Sequence, residues 1–118
     1  MFNEMVKYAA IPLDTIFSAL ADSTRRAILS RLAQGPATVT EIAEPFDISL
    51  PAVSKHLRVL ERAGLLIRQK KGRIHTCYLN ATPLREASGW LAMYEQFWEG
   101  QLDSLAQFLE ETKEENGT

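Results

Sequence analysis

The sequence is poor in the residue types on which many functional sites depend. Its 118 residues include one cysteine, Cys77, and two histidines, His56 and His75. A single cysteine excludes an intrachain disulfide, and it excludes a zinc site with four thiolates from one chain. This low cysteine content is typical of a protein from a reducing compartment.

Long apolar runs are also absent. No stretch approaches the roughly 18 apolar residues that a membrane-spanning helix needs. The N-terminal Met-Phe-Asn-Glu carries an early acid and no basic segment before an apolar core, unlike a secretory signal. We therefore expect a cytoplasmic protein with no membrane partner.

The residue combinations that mark common enzymes are missing as well. The sequence has no glycine-rich phosphate loop, no metal triad and no nucleophile paired with a base. Ser54 and His56 are two residues apart on a predicted helix, so their side chains do not face each other. We expect neither enzymatic activity nor a cofactor.

Charge is present but unevenly distributed, and the net charge of −2 hides this. Residues 49–73 hold seven cations and one acid, a net charge of +6, whereas residues 84–118 hold two cations and eight acids, a net charge of −6. The basic segment suits binding to phosphates, which would repel the acidic end. The alternative is two solvated faces that differ in sign.

Capping residues divide the first half of the chain into short helices. The apolar residues that follow Pro12 predict a first helix from position 13. Asp22 is the predicted N-cap of a second helix over 23–33, which Gly35 and Pro36 end.

Thr38 and Glu41 form a predicted capping box, which opens a third helix over about 39–46. Pro45 should distort or end that helix, because proline lacks a backbone N–H and clashes with the preceding turn. Residues 47–49 form the predicted turn before the next helix.

Ser49 is the predicted N-cap of a fourth helix at 50–63 that ends at Gly64. We expect one face of this helix to be buried, formed by Leu50, Val53, Leu57 and Leu60. Residues 65–70 and 73–80 are short segments that contain β-forming residues on either side of Lys71-Gly72, which predicts a two-stranded hairpin with glycine at the turn.

Thr82 and Pro83 open a predicted last helix that extends to residue 112, and residues 113–118 should fray. Its apolar stripe is wider than the core of one small domain requires, which favours burial between two copies of the chain. Packing within a single core explains part of the stripe. The candidate dimer-interface residues are Phe17, Leu91, Tyr94, Trp98, Leu102 and Leu105.

The helix at 50–63 and the hairpin at 65–80 carry the candidate contacts to duplex DNA. A helix that enters the major groove by its N-terminal half brings small and polar side chains to base edges, while a cationic hairpin tip suits the backbone or the minor groove. A solvated helix face is the alternative, and His56 could simply pack at the core edge. The candidate residues are Ser49, Ala52, Ser54, Lys55, His56, Arg58, Lys70, Lys71 and Arg73.

Three segments together resemble a known family. They are Leu-Ala-Asp-Ser-Thr-Arg-Arg-Ala-Ile-Leu at 20–29, Ser-Leu-Pro-Ala-Val-Ser-Lys-His-Leu at 49–57, and Gly64-Leu65 with the Gly72-Arg73 wing and Tyr78. Over residues 17–108 the chain resembles the ArsR/SmtB winged-helix repressors. The resemblance implies a homodimer that joins through its terminal helices, reads an inverted repeat and is released by an effector. It also implies that Arg25 and Arg26 support the fold near the DNA backbone.

The chain departs from this family in its ligand residues. Metal-sensing members carry a cysteine pair on the third helix or acidic and histidine ligands on the last helix, and both sets are missing here. His75 and Cys77 lie two residues apart on one predicted strand and share a face, so a metal- or redox-responsive repressor is one alternative. The chain is closer to the branch without metal sites.

These observations predict one winged helix-turn-helix domain over residues 1–118, mainly α, with about five helices and a two-stranded wing. Residues 13–81 form its DNA-binding core and 82–112 its dimerisation helix. The predicted function is a homodimeric repressor that binds double-stranded DNA and does not use the usual metal sites. A winged-helix module that binds another protein is a further alternative, which the +6 segment disfavours.

Overall fold

The computed structural model describes the backbone of residues 11–116 and the side chains of residues 11–113. Within that part, the predicted fold class is confirmed: a series of short helices is followed by an antiparallel hairpin and C-terminal helices. The elements are α1 (Leu13–Leu20), α2 (Ser23–Ala33), β1 (Ala37–Thr38), α3 (Val39–Ala43), α4 (Leu50–Arg62), β2 (Leu66–Lys71), β3 (Ile74–Leu79), α5 (Thr82–Ala92) and α6 (Glu95–Asn116).

The predicted caps of the first half are confirmed. Asp22 accepts a hydrogen bond from the backbone N–H of Arg25 at 3.0 Å and caps α2. Thr38 and Glu41 form the complete capping box of α3. That helix ends at Ala43, earlier than expected, because Pro45 cannot donate the next helical hydrogen bond.

The sheet has one strand more than predicted. Its order is β1-β3-β2, with all pairs antiparallel, and Ala37 of β1 pairs with Cys77 of β3. A strand of two residues is too short to show an alternating pattern, which explains why the sequence gives no sign of it. Through β1, the β3 strand of the wing is hydrogen-bonded to the segment that immediately precedes α3.

The core of the N-terminal part forms where α2, α3, α4 and the inner face of the sheet meet. Ile28, Ile42, Leu57 and Leu65 are fully buried there, as is Cys77. The buried positions of α4 recur at steps of four and three residues, and those of α2, at 28, 29 and 32, also share one face, as expected for helices that present one face to a core. This packing orients α4 and the wing.

The predicted buried stripe of α4 is correct for three positions and wrong for one. Val53, Leu57 and Leu60 are inaccessible to solvent, but Leu50 is 53% exposed. Leu50 is the first residue of the helix, where the chain extends past the core. The N-terminal end of α4 therefore carries an exposed apolar side chain.

The single last helix predicted over 82–112 is wrong. Residues 93 and 94 interrupt it, because the N–H groups of Met93 and Tyr94 bond to the carbonyls of Trp90 and Leu91, three residues back. These tighter bonds end α5, and the Tyr94 carbonyl then accepts the Trp98 N–H to start α6. The helix also continues to Asn116, so residues 113–116 are helical rather than frayed, and 117 and 118 lie outside the described residues.

The chain divides into two compact units, residues 1–87 and 88–118. The described part of the first unit has the core given above. In the second unit, every side chain from 88 to 113 except that of Thr112 is exposed. Among the described residues, no helix is long and apolar enough to span a membrane.

Candidate nucleic-acid interface

The N-terminal end of α4 is built by local hydrogen bonding. Ser49 has extended backbone angles, and its hydroxyl oxygen accepts the N–H of Ala52 at 3.3 Å, as expected of an N-cap. Pro51 fits this first turn because its missing N–H needs no helical partner there. The helix start, with its partial positive charge, is exposed at Ser49, Leu50 and Pro51.

The side of α4 opposite its buried stripe is basic. Lys55, Arg58 and Arg62 are exposed along it, whereas Ala52 and Ser54 are half-buried beside them. Arg62 recurs at helical spacing from Lys55 and Arg58, so its charge extends the same face by one turn. Arg62 is not among the predicted contacts, although its position in the sequence would have supported including it.

The wing adds a second group of cations at its tip. β2 and β3 are joined by Gly72 and Arg73, and Gly72 has a φ of +61°, which glycine adopts without strain. Lys70, Lys71 and Arg73 are all exposed at this turn. The three predicted tip contacts are thus accessible to a phosphate backbone.

The one acid of the basic segment is already paired. Glu61 accepts a hydrogen bond from Arg68 at 2.7 Å, and both side chains are partly shielded from solvent. The charges of Glu61 and Arg68 cancel each other, so the net charge of +6 in residues 49–73 is carried by the remaining six cations, all of them exposed. They are Lys55, Arg58, Arg62, Lys70, Lys71 and Arg73.

His56 is placed differently from the other candidate contacts. Its Nδ1 lies 3.3 Å from a guanidinium nitrogen of Arg25 and 3.8 Å from the Asp22 carboxylate, both at the start of α2. The backbone hydrogen bond from Arg25 to Asp22 holds the pKa of that carboxyl below its usual range. His56 therefore contacts protein at one edge of its ring.

Arg25 and Arg26 hold the end of α1. Arg25 donates to the carbonyls of Ser18 and Ala19 at 2.9 and 2.7 Å, and Arg26 donates to the carbonyl of Leu20 at 2.7 Å. The Ser18 carbonyl also accepts the N–H of Ala21 at 3.2 Å. Carbonyls at the C-terminus of a helix lack their usual helical partners, and the charge-assisted bonds from the two arginines supply acceptable replacements. The expectation that both arginines support the fold is confirmed, and their place near the DNA backbone stays a prediction.

The candidate metal ligands of β3 lie in different surroundings. Cys77 is fully buried in the core, and burial raises the pKa of its thiol. His75 is half-buried, with its Nδ1 3.4 Å from Arg68. Within the described part of the chain, no three His, Cys, Asp or Glu side chains are grouped closely enough to hold a metal ion.

The candidate dimer residues fall in both units. Phe17 is half-buried on α1, in the first unit. In the second unit, Leu91, Tyr94, Trp98, Leu102 and Leu105 are all exposed, Trp98 by 66% of its surface. Their role in an interface stays a prediction.

A capped recognition helix, a cationic wing and a small helical core define a winged helix-turn-helix protein. A family model described as a helix-turn-helix domain matches residues 20–69. Transcriptional repressor SdpR of Bacillus subtilis is 38% identical over 79 residues, which cover 67% of this chain and 88% of that protein. HTH-type transcriptional regulator Rv2034 of Mycobacterium tuberculosis is 40% identical over 97 residues, which cover 82% of this chain and 88% of that protein.

The fold is similar to solved structures as well. The crystal structure of the ArsR family transcriptional regulator RHA00566 matches with a TM-score of 0.70 and 48% identity, covering 74% of this chain and 96% of that one. The chain belongs to the ArsR family of winged helix-turn-helix transcriptional regulators.

Proposed function

We propose that this protein is a homodimeric repressor that binds an inverted repeat in double-stranded DNA. The observation that carries the proposal is the set of six exposed cations on α4 and the wing tip, with no unpaired acid among residues 49–73. Cations in this number attract the DNA backbone at long range and displace its counterions on contact. Repression is supported by the likeness to a protein named as a repressor.

In this proposal α4 enters the major groove by its N-terminal half. Ala52 and Ser54 are small, which lets the helix approach the bases closely, and Lys55 can reach the acceptors of guanine. The exposed start of the helix supplies N–H groups and a partial positive charge to a phosphate. Ser49 would also lie toward the base edges, and Arg58 would contact the phosphates.

The wing tip would bind DNA without reading its sequence. Lys70 and Lys71 at the end of β2 and Arg73 in the turn are long, exposed and close in sequence, a combination that suits the DNA backbone or the minor groove. Affinity would then come from both elements and discrimination from α4.

The second unit supplies the proposed dimer interface. Along α6, Trp98, Leu102, Leu105 and Leu109 recur at steps of four, three and four residues, and each is more than half exposed. Such a seam is typical of helices that pack against a partner helix. A soluble chain rarely exposes so continuous an apolar face, so a second copy of α6 would cover it.

A symmetric dimer constrains the DNA site. Two identical recognition helices related by a two-fold axis read two identical half-sites in opposite directions, which is an inverted repeat. We expect the half-site centres to lie one helical turn apart, about 34 Å, or a multiple of it.

We further propose that the protein works without the family's metal sites, without catalysis, and in the cytoplasm with chromosomal DNA. A metal binds the thiolate form of cysteine, and the buried Cys77 has its thiol pKa raised, away from that form. Binding of a metal by Cys77 and His75 would require the core to open.

A gel-shift titration on the promoter region of the protein's own operon tests the proposal. We expect retardation at low salt and a steep loss of affinity as salt rises, because several phosphates are contacted. Lys71→Ala should reduce the salt dependence, and Lys113→Ala, which removes an exposed cation of the second unit, should not. A folded dimer that leaves the DNA unshifted at low salt would refute the proposal.

A protein-interaction module is the second candidate, favoured by the exposed aromatic side chains of Phe97 and Trp98. Light scattering and hydrogen exchange distinguish the homodimeric repressor from the protein-interaction module. A stable dimer with α6 protected supports the homodimer, whereas a monomer with an unprotected α6 supports a different protein partner.

A further inference from the structure

The contact between His56 and Arg25 joins the recognition helix to the start of α2. Only 22% of the His56 side chain is exposed, and its Nδ1 is 3.3 Å from an Arg25 guanidinium nitrogen. The neighbours of His56 on either side, Lys55 and Leu57, face solvent and core respectively. His56 thus lies at the boundary between the DNA-facing side of α4 and the rest of the fold.

The chemistry of this contact defines the state of the ring. Arginine remains protonated and can only donate hydrogen bonds, so Nδ1 of His56 must be the acceptor. This contact requires the tautomer with its proton on Nε2. The Asp22 carboxylate lies 3.8 Å from the same Nδ1, beyond hydrogen-bond distance, so Arg25 is the hydrogen-bond partner of this nitrogen.

Arg25 is itself held firmly. Its guanidinium donates to the carbonyls of Ser18 and Ala19, and its backbone N–H is bonded to the Asp22 carboxylate. The side chain and the backbone of Arg25 are therefore both held by contacts that do not involve His56. The contact to His56 consequently ties α4 to the end of α1 and the start of α2.

The hydrogen bond to Arg25 adds a directional contact to the apolar core contacts of α4. Val53, Leu57 and Leu60 are fully buried, and the hydrophobic effect that favours their burial has no preferred direction. A hydrogen bond to a charged donor is directional, so it constrains rotation and shift of the helix in addition to that packing. Contacts to base edges need correct angles, whereas contacts to phosphates are more tolerant.

We propose that His56 is a positioning residue for DNA recognition, which acts through Arg25 and not through a base. It sets the rotation of α4, so that Ala52, Ser54 and Lys55 meet the base edges at a productive angle. This inference rests on the proposed function, because it concerns how the same DNA is discriminated.

The test exchanges His56 for two amides. His56→Asn places an amide oxygen where the histidine has Nδ1, so it retains the acceptor for Arg25 but no longer reaches as far as Nε2. His56→Gln does the reverse: its amide extends to the Nε2 position and leaves Arg25 without its acceptor. Each variant is titrated against a duplex selected by the wild-type protein from a random-sequence library, and against the same duplex with scrambled half-sites.

If His56 is a positioning residue, His56→Asn keeps the ratio of the two affinities near the wild-type value. His56→Gln and His56→Ala lower that ratio about tenfold, the size expected for loss of one bond to a charged donor. The affinity for the scrambled duplex should change little in all three. Retention of discrimination by His56→Gln with loss in His56→Asn would overturn the inference in favour of direct base contact, and no change in any variant would also overturn it.

Two further measurements keep the inference separate from the proposed function. Nitrogen-15 NMR of the wild-type imidazole at pH 8 should show His56 protonated on Nε2, and protonation on Nδ1 would overturn the contact itself. In a double-variant cycle, His56→Ala should lower discrimination no further once Arg25→Lys is present, whereas additive losses would contradict a shared role. A wild-type protein that selects no duplex at all would refute the proposed function, and the inference with it.

Discussion

At the residue scale, three short polar side chains determine where the helices of the DNA-binding part begin. Asp22, Thr38 and Ser49 each accept a backbone N–H from the first turn of the helix that follows. Those N–H groups have no helical partner, so the caps supply what the backbone lacks. The start of α4, and with it the candidate DNA contacts, depends on Ser49.

Substitution of Asp22 tests the first of these caps. Asp22→Ala should lower the free energy of unfolding by about 1 kcal/mol, the usual cost of losing an N-cap. Asp22→Asn should cost less, because asparagine caps as well as aspartate. Urea unfolding at one protein concentration measures both, and an equal loss in the two variants would contradict the capping role.

The hydrogen bond between Asp22 and the Arg25 N–H predicts that the free energy of unfolding depends on pH. The pKa of Asp22 is lowered in the folded protein, first through the Arg25 N–H, so the folded state favours the ionised carboxylate. This contribution is present above the ordinary pKa of 3.8 and is lost as the pH falls through the folded-state value. Between about pH 5 and pH 3 the wild type should therefore lose more stability than Asp22→Asn. Parallel losses in urea unfolding would show that the group does not contribute.

At the element scale, we propose that α4 provides discrimination between DNA sequences and that the wing adds affinity for any DNA. Lys55→Ala should lower the preference for the operator over unrelated DNA by about 1–3 kcal/mol, because a base contact is removed. Lys71→Ala should weaken binding to all sequences about equally and reduce the salt slope by about one. Gel-shift titrations over a salt series measure both, and an equal loss of preference in the two variants would contradict this division.

The turn between α4 and β2 depends on glycine at one position. The N–H groups of Gly64 and Leu65 bond to the carbonyls of Glu61 and Leu60, and Gly64 has a φ of +72°. Gly64→Ala should cost about 1–2 kcal/mol of unfolding free energy for that conformation. Its added methyl would also lie 2.8 Å from the Ile11 side chain, which must move.

Gly72→Ala is the matched control for Gly64→Ala. Gly72 has a similar φ of +61°, but nothing lies within 4 Å of an added methyl. Urea unfolding should therefore show a smaller loss for Gly72→Ala than for Gly64→Ala. The reverse order would contradict the close packing around Gly64.

The sequence predicts the elements that local chemistry determines. The caps of α2, α3 and α4 are short-range signals, and the faces of α4 follow from helical periodicity, so the exposed cations could be foreseen. The pairing of β1 with β3 and the contact between Arg25 and His56 join distant positions, and no local pattern encodes them. The break after Ala92 has neither proline nor glycine to mark it, and only the shift to shorter hydrogen bonds shows where it lies.

At the scale of the whole molecule, the two units differ in how they bury apolar residues. The first has its own core, whereas the described part of the second exposes nearly every side chain, including Phe97, Trp98 and Leu105. An apolar face of this extent is stabilised by removal from water, at about 25 cal/mol per Å². The second unit is thus expected to be completed by a partner copy.

Leu105→Glu tests this expectation. A charge within the seam should weaken dimerisation at least about tenfold, because a carboxylate is costly to bury without a partner. Gln107→Glu introduces the same charge on the opposite side of α6 and should leave the dimer intact. Analytical ultracentrifugation compares the two, and an unchanged dimer in Leu105→Glu would place the interface elsewhere.

In the proposed complex, two copies of α4 read two half-sites in adjacent major grooves. Hydroxyl-radical footprinting and guanine-methylation interference on a wild-type-selected duplex test this arrangement. We predict two symmetric major-groove contact regions with centres about 34 Å apart, and loss of both patterns together in Leu105→Glu. A single contact region, or protection confined to the backbone with no interference at any base, would contradict the account.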